Sequence, residues 1–369
     1  MFADALKMYK AMNKTTKAVI LQEDVIGSLA TSNVDTVRSL AFSVLVASPS
    51  PLRPFTATAL NILQSKMEIF YADTDAKFRT DTLSNTRKLI ERLRGTTAYL
   101  NRELGNLSSK CASESSRSEE RDLHDQIQNL IQRHEEFLKW YLEFLLNELI
   151  PTVSYQRHIT ALKAIRLLLQ SGILDELSPT RSSTGPKHPT SWPYRVNFFT
   201  PRAMRLLQDL LMDPFEDVRD SAAAVLKLAS IENFAIETMT QESNYHRLKL
   251  VRTVEPIRQL KGFSVIDDRP SVIRDVVANK PEVDKGYTSL ATFIARAEGL
   301  AKRTGRADYG DGVARCYDLL YTLLPSTESH LMLVQNLVHD LDAKVCIAER
   351  DLTKAVLDAP IHGTFAALK

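Results

Sequence analysis

Apolar residues in this chain recur at the 3–4 spacing of an α-helix in one segment after another, and no other feature narrows the fold as far. Val37, Leu40, Ala41, Val44 and Leu45 keep the spacing, as do Leu138, Tyr141, Leu142, Leu145, Leu146 and Leu149. Val313, Cys316, Tyr317, Leu320, Tyr321 and Leu324 form a third run, and Val334, Leu337, Val338 and Leu341 a fourth. Each run predicts a helix with one buried stripe. No segment shows the alternation that a half-buried strand requires. Composition agrees, because 369 residues with 44% hydrophobic content can fill a large core and only 12 glycines leave few sheet turns. The expected fold class is all-α.

Capping chemistry places the boundaries. Thr200-Pro201 and Asp213-Pro214 each read as a side-chain acceptor at the N-cap with proline at the first helical position, where its missing N–H is not needed. Helices are expected near 2–12, 16–31, 34–48, 53–71, 73–104, 118–150, 154–174, 201–212, 214–230, 233–241, 244–257, 286–303, 308–324 and 328–357. Three stretches interrupt them. Residues 105–120 are rich in serine and charge, residues 176–200 hold Pro179, Pro186, Pro189 and Pro193, and residues 258–285 hold Gly262, Pro270 and Pro281, with a short turn from Val272 to Val277. The expected organisation is a helical-repeat segment over 1–175 with long helices at 73–104 and 118–150, a proline-rich loop over 176–200, and a second helical-repeat segment over 201–369.

Two segments align with each other: VDTVRSLAFSVLV from Val34 and FEDVRDSAAAVLKLA from Phe215. Val37 and Arg38 match Val218 and Arg219, Ala41 matches Ala222, and Val44-Leu45 match Val225-Leu226. GDGVARCYDLL from Gly310 is a weaker third copy, in which Ala314 replaces the arginine. The pattern resembles the second helix of a HEAT repeat, so the expected architecture is a HEAT/armadillo-like superhelix of stacked α-hairpins. An acid in the first turn suits the helix dipole and can pair with an arginine of an adjacent repeat.

Chemistry is sparse. The chain has no glycine-rich phosphate loop, no H-E-x-x-H and no G-x-S-x-G, and the glycines of GRADYGDG are read as lying between helices with no preceding strand. Eight scattered histidines offer no metal-ligand spacing and read as surface or capping residues. Cys111, Cys316 and Cys346 form no paired motif and read as reduced, packed thiols of a cytosolic or nuclear protein. Glu135 and Glu136 read as solvated. No catalytic, cofactor or metal residue is expected. The N-terminal residues carry lysines too often for a signal peptide or membrane span, and Phe2, Leu6 and Met8 give the chain the look of a fragment taken from within a repeat array.

A net charge of +2 excludes a bulk electrostatic partner. Locally the balance differs. Between Lys77 and Lys110 eight basic residues, among them Arg79, Arg87, Lys88, Arg92, Arg94 and Arg102, face three acids. A positive ridge of this kind can lie along RNA phosphates, and a solvated helix face has the same composition. In the proline-rich loop, Lys187, Trp192, Tyr194 and Arg195 combine cations with aromatic rings, a mixture that suits either a partner-gripping element or an ordinary insertion.

SYQRHITALKAIRLLLQSGI from Ser154 and LLMDPFEDVRDSAAAVLKLA from Leu210 resemble the thyroid adenoma-associated protein (THADA) family and its fungal tRNA-methylation counterparts. The likeness lies in order: two long helices, the Tyr-Gln-Arg helix, a variable loop, then the Asp-Pro-Phe-x-Asp-Val-Arg helix, over about residues 120–350. It implies a cytoplasmic, non-catalytic scaffold that partners an FtsJ-like tRNA 2′-O-methyltransferase and presents tRNA for methylation in the anticodon loop. The family's characteristic conserved domain has no counterpart in this sequence. A generic HEAT adaptor for transport or complex assembly is the alternative reading, and an enzyme is a third.

Overall fold

The computed structural model describes residues 22–47, 52–73, 75–110, 117–174, 192, 195–235, 281–350 and 358–368. The helices expected at 2–12 and 244–257 lie outside the described residues, as do Cys111 and the turn at Val272–Val277. Twelve α-helices and no strand occur among the described residues. The chain divides into two compact units, residues 1–197 and 198–369.

In the first unit α1 (Glu23–Leu29), α2 (Asp35–Val46) and α3 (Ala57–Ala72) precede two long helices, α4 (Ala76–Lys110) and α5 (Arg117–Asn147). The unit's next helix, α6 (Tyr155–Leu168), runs on into a wider π-type turn at Leu169–Ile173. Thr56 caps α3 by accepting from the Ala59 N–H at 3.0 Å and donates to Glu23 Oε2 at 2.6 Å, which fixes α1 against the start of α3. Asp75 caps α4 through the Phe78 N–H at 2.7 Å. Phe42 stacks on Phe70 with ring centroids 4.4 Å apart, and Leu138, Tyr141, Leu142, Leu145, Leu146 and Leu149 of the α5 region are all buried, as their spacing requires. The α2 stripe is rotated from its expected position. Ala41, Phe42, Leu45 and Val46 face inward, while Leu40 is exposed.

In the second unit, α7 (Pro201–Leu210) starts as expected: Thr200 accepts from the Ala203 N–H at 3.3 Å. The start of α8 (Glu216–Leu226) differs. Its N-cap is Phe215, and Asp213 instead accepts the Phe215 N–H at 2.9 Å in a turn before the helix. A 3₁₀ turn follows at Ile231–Phe234; then come α9 (Pro281–Thr304), α10 (Ala307–Leu323), α11 (Thr327–Arg350) and α12 (Asp358–Leu368). Residues 281–285 are helical where a loop was expected, and residues 105–110 continue α4 instead of opening the serine-rich break. Gly310 and Gly312 lie inside α10, so the third repeat copy starts within a helix and not at its cap. Gly312 is there for close approach: a Cβ would stand 2.8 Å from the Leu211 carbonyl oxygen.

The matched segments VDTVR and FEDVR build the same corner. Arg38 donates to the Ser32 carbonyl at 2.8 Å and reaches Asp73 beyond α3; Arg219 donates to the Asp213 carbonyl at 2.8 Å and reaches Asp311 of α10 at 3.3 Å. In each case the guanidinium ties the carbonyl six residues back to a carboxylate from another part of the chain, Asp73 just after α3 or Asp311 within α10. The expected pairing of a first-turn acid with an arginine of another helix is made only distantly, by Glu216 at 3.9 Å from Arg315 of α10, whose closer partner, at 2.6 Å, is Asp220 one turn further along α8.

Candidate nucleic-acid interface

The basic stretch of α4 separates into two sets. Arg92, 9% exposed, donates to the carbonyls of Leu45, Val46, Ala47, Arg53 and Pro54 at 3.1–3.4 Å, so it clasps the end of α2 and the approach to α3. Its guanidinium stacks on Phe55, 3.7 Å from the ring centroid. Burial, with the Arg53 charge, pushes its pKa down to about 10, and at neutral pH it stays charged. Arg94 is buried too and donates to the Ser171 carbonyl at 3.2 Å, with its pKa lowered chiefly by burial. These two arginines are corrections to the expected ridge: they are structural cations, solvated by backbone carbonyls.

Arg87, Lys88 and Arg102 are exposed, and Arg79 is half-buried. The hydrogen bond from Arg94 to Ser171 sets α4 beside the end of α6, whose sequence YQRHITALKAIRLL has no acidic residue and whose Lys163 and Arg166 are exposed. A tally of charge along the chain misses those two, because packing and not sequence proximity sets α6 against α4. The signal that could have found them is the absence of any acid on α6.

The aromatic loop is also divided. Lys187 and Tyr194 lie outside the described residues. Trp192 is buried, and its indole N–H donates to Ser171 Oγ at 2.8 Å, so it anchors the segment to the π-type turn and offers no free ring; Arg195 is exposed. Ser171 thus receives both Arg94 and Trp192.

Two histidines expected at the surface are core residues. His134 donates through Nδ1 to the Leu130 carbonyl at 2.6 Å and accepts the Phe55 N–H at Nε2, 3.2 Å away. That arrangement requires the neutral ring, and burial lowers its pKa despite the Leu130 bond. His158 is buried against the Ile150 carbonyl at 3.1 Å. Other polar burial is structural as well. Glu148 takes a bidentate pair from Arg157 at 2.5 and 2.6 Å, which raises the Arg157 pKa, and Tyr71 and Tyr141 share a 2.7 Å hydrogen bond. Burial pushes the Tyr71 phenol up to about 12 and the Cys316 thiol well above its usual range. Cys346 is exposed. Glu136 is exposed and accepts from Gln132, while Glu135 pairs with Lys139 at 3.3 Å.

No group of three or more metal-ligating side chains occurs among the described residues, and no described helix is long and apolar enough to cross a membrane. What this geometry defines is an all-α protein in which Arg38, Arg92, Arg94 and Arg219 hold its own corners together, with cations left exposed on α4 and α6. The family model described as Trm732, TPR repeats, matches residues 3–220, more than half the chain, and the chain belongs to that family. Trm732 is the yeast THADA homologue, so the family found by resemblance is the one shown. The family model names its repeats TPR where the sequence pattern resembled HEAT. A TPR unit fits two helices and a turn into about 34 residues, whereas α4 and α5 alone have 35 and 31 residues.

Proposed function

We propose that this chain is a non-catalytic scaffold that holds an FtsJ-like tRNA 2′-O-methyltransferase and presents tRNA to it for methylation in the anticodon loop. The observation that carries the reading is the match to the Trm732 family over residues 3–220. Stacked helices of the HEAT, armadillo or TPR kind suit the task, because a superhelix offers a long surface on which two partners can be held in register. The chemical contribution is proximity: fixing substrate against enzyme replaces a bimolecular encounter by an intramolecular one.

In this reading Arg87, Lys88 and Arg102 of α4, with Lys163 and Arg166 of α6, contact phosphates. Phosphate contacts position RNA without reading its bases, which leaves sequence choice to the methyltransferase and the anticodon loop itself. The test is size-exclusion chromatography of the purified chain mixed with the FtsJ-like methyltransferase, with and without tRNA. Co-elution with the enzyme, and a ternary complex that R87E/K88E/R102E weakens while the binary one survives, is the expected outcome. Failure to co-elute with the methyltransferase would contradict the reading.

A further inference from the structure

Helix α9 sorts its charges between two sides. Leu290, Phe293, Ile294, Ala297 and Ala301 are buried and mark its inner side. Of its acids, Glu282 and Asp284 stand in the first turn. The third, Glu298, is turned to neighbouring helices, where it accepts from the Tyr317 hydroxyl at 2.8 Å and lies 3.7 Å from Lys344. Arg296, Lys302 and Arg303 are exposed on the outer side, and among the described residues none of them forms an ion pair. Cations of the neighbouring elements are committed: Lys227 to Asp318, Arg306 to Asp308, Arg315 to Asp220 and Lys344 to Asp340.

The helix dipole accounts for part of this pattern. Lys302 and Arg303 lie in the last turn, where cations are favoured, but Arg296 stands about two turns earlier, beyond the reach of that effect. Asp209 of α7 feels the Arg296 charge, which opposes the rise that burial gives its pKa, without closing an ion pair. What the face can bind follows from what it lacks. Exposed large apolar side chains, the anchors of a protein interface, are absent from residues 285–304. No exposed ring is present there to stack an unpaired base, since Phe293 is buried and the half-buried Tyr287 donates its hydroxyl to the Leu323 carbonyl at 2.7 Å. Phosphates require neither anchor nor ring, only cations spaced to meet them. Arg296 and Arg303 stand about 10 Å apart along the helix axis, so each can take a phosphate of its own.

We propose that the outer side of α9 is a further phosphate-binding surface, which holds the backbone of a base-paired RNA stem through Arg296, Lys302 and Arg303. It rests on the tRNA reading above and extends that reading to the second unit. The contacts position RNA and leave its bases unread, because the face offers point charges and no ring or amide donor aimed at a base edge.

Fluorescence anisotropy of the full chain with tRNA, with a short RNA duplex and with a single strand of equal length tests the surface. R296E/R303E is expected to weaken tRNA and duplex binding by about tenfold or more and to lower the log–log salt slope by about 2, while single-strand binding changes by less than about twofold. R296K/R303K should keep most of the affinity, because a phosphate accepts a point charge. The control is R133E/K139E, which makes the same change of net charge at exposed positions of α5 and should cost less than about twofold. Circular dichroism shows that each variant keeps its helical content. Unchanged tRNA affinity in R296E/R303E, an equal loss in R133E/K139E, or a loss confined to the single strand would overturn the proposal. Co-elution with the methyltransferase judges the scaffold reading separately, so a chain that still co-elutes while R296E/R303E binds tRNA as wild type does sinks this surface alone.

Discussion

Arg92 and Arg94 occupy the middle of α4, with Arg87, Lys88 and Arg102 on either side of them, and in sequence the five form one basic run. In the fold they part company. The middle pair is buried and gives its donors to six carbonyls of the α2–α3 connection and the end of α6, whereas Arg87, Lys88 and Arg102 are exposed. A local charge excess therefore overstates a phosphate-binding surface whenever some of its cations lie on the buried side of the helix. The difference also predicts which substitutions act on folding and which on binding.

The largest effect is expected at Arg92. Replacement by alanine removes the donor to five carbonyls, two of them in buried bonds, and should destabilise the first unit by about 3–4 kcal/mol, read as a melting temperature lower by about 10 °C. Arg92→Lys, which keeps charge but not the planar fork, should recover less than half of the loss. Wild-type stability in R92A would break the comparison. Arg94→Ala loses one charge-assisted hydrogen bond and should cost about 2 kcal/mol, with faster proteolysis around Trp192 because Ser171 anchors both residues.

Acidification acts on the same buried corner through His134. Its folded-state pKa lies below the unfolded value of about 6.5, so the unfolded chain binds the proton more readily. The stabilisation is complete above that value and is lost as pH falls below it, by up to about 1.4 kcal/mol per pH unit. Burial causes this chiefly, and the Arg92 charge adds to it. Chemical denaturation of wild type and His134→Gln between pH 5 and 7.5 should give a steep slope for the first and a flatter one for the second.

The smallest effect on folding belongs to the exposed set. R87E/K88E/R102E should change stability by less than about 0.5 kcal/mol yet weaken tRNA binding and flatten its salt dependence, by about 0.7–0.9 in log–log slope for each phosphate no longer neutralised. Unchanged affinity and slope would leave these residues as a solvated helix face.

Much of the fold was legible because helical periodicity and burial coincide, as they do from Leu138 to Leu149. Where periodicity alone was used, the stripe could be misplaced: α2 turns Phe42 and Val46 inward in place of Leu40, and α11 exposes Val334 and Val338. Helix α12 lies beyond the last expected helix, 328–357, and was not anticipated. Its Gly363 packs against Gly310, where a Cβ would stand 2.8 Å from its carbonyl oxygen. His134 shares the stripe of Phe137, Leu138 and Tyr141, a spacing that could have marked it as a core residue. The divided basic run was not legible, because which arginines face inward depends on where the α2–α3 carbonyls come to rest.

Reconstituted methyl transfer tests the scaffold account most directly. Purified tRNA, S-adenosylmethionine and the FtsJ-like methyltransferase are combined with and without this chain, and ribose methylation in the anticodon loop is followed over time. The account predicts no transfer by the chain alone and faster transfer when both proteins are present, with the gain reduced by R87E/K88E/R102E. Methylation by the chain without the enzyme, or a rate that its addition leaves unchanged, would contradict it.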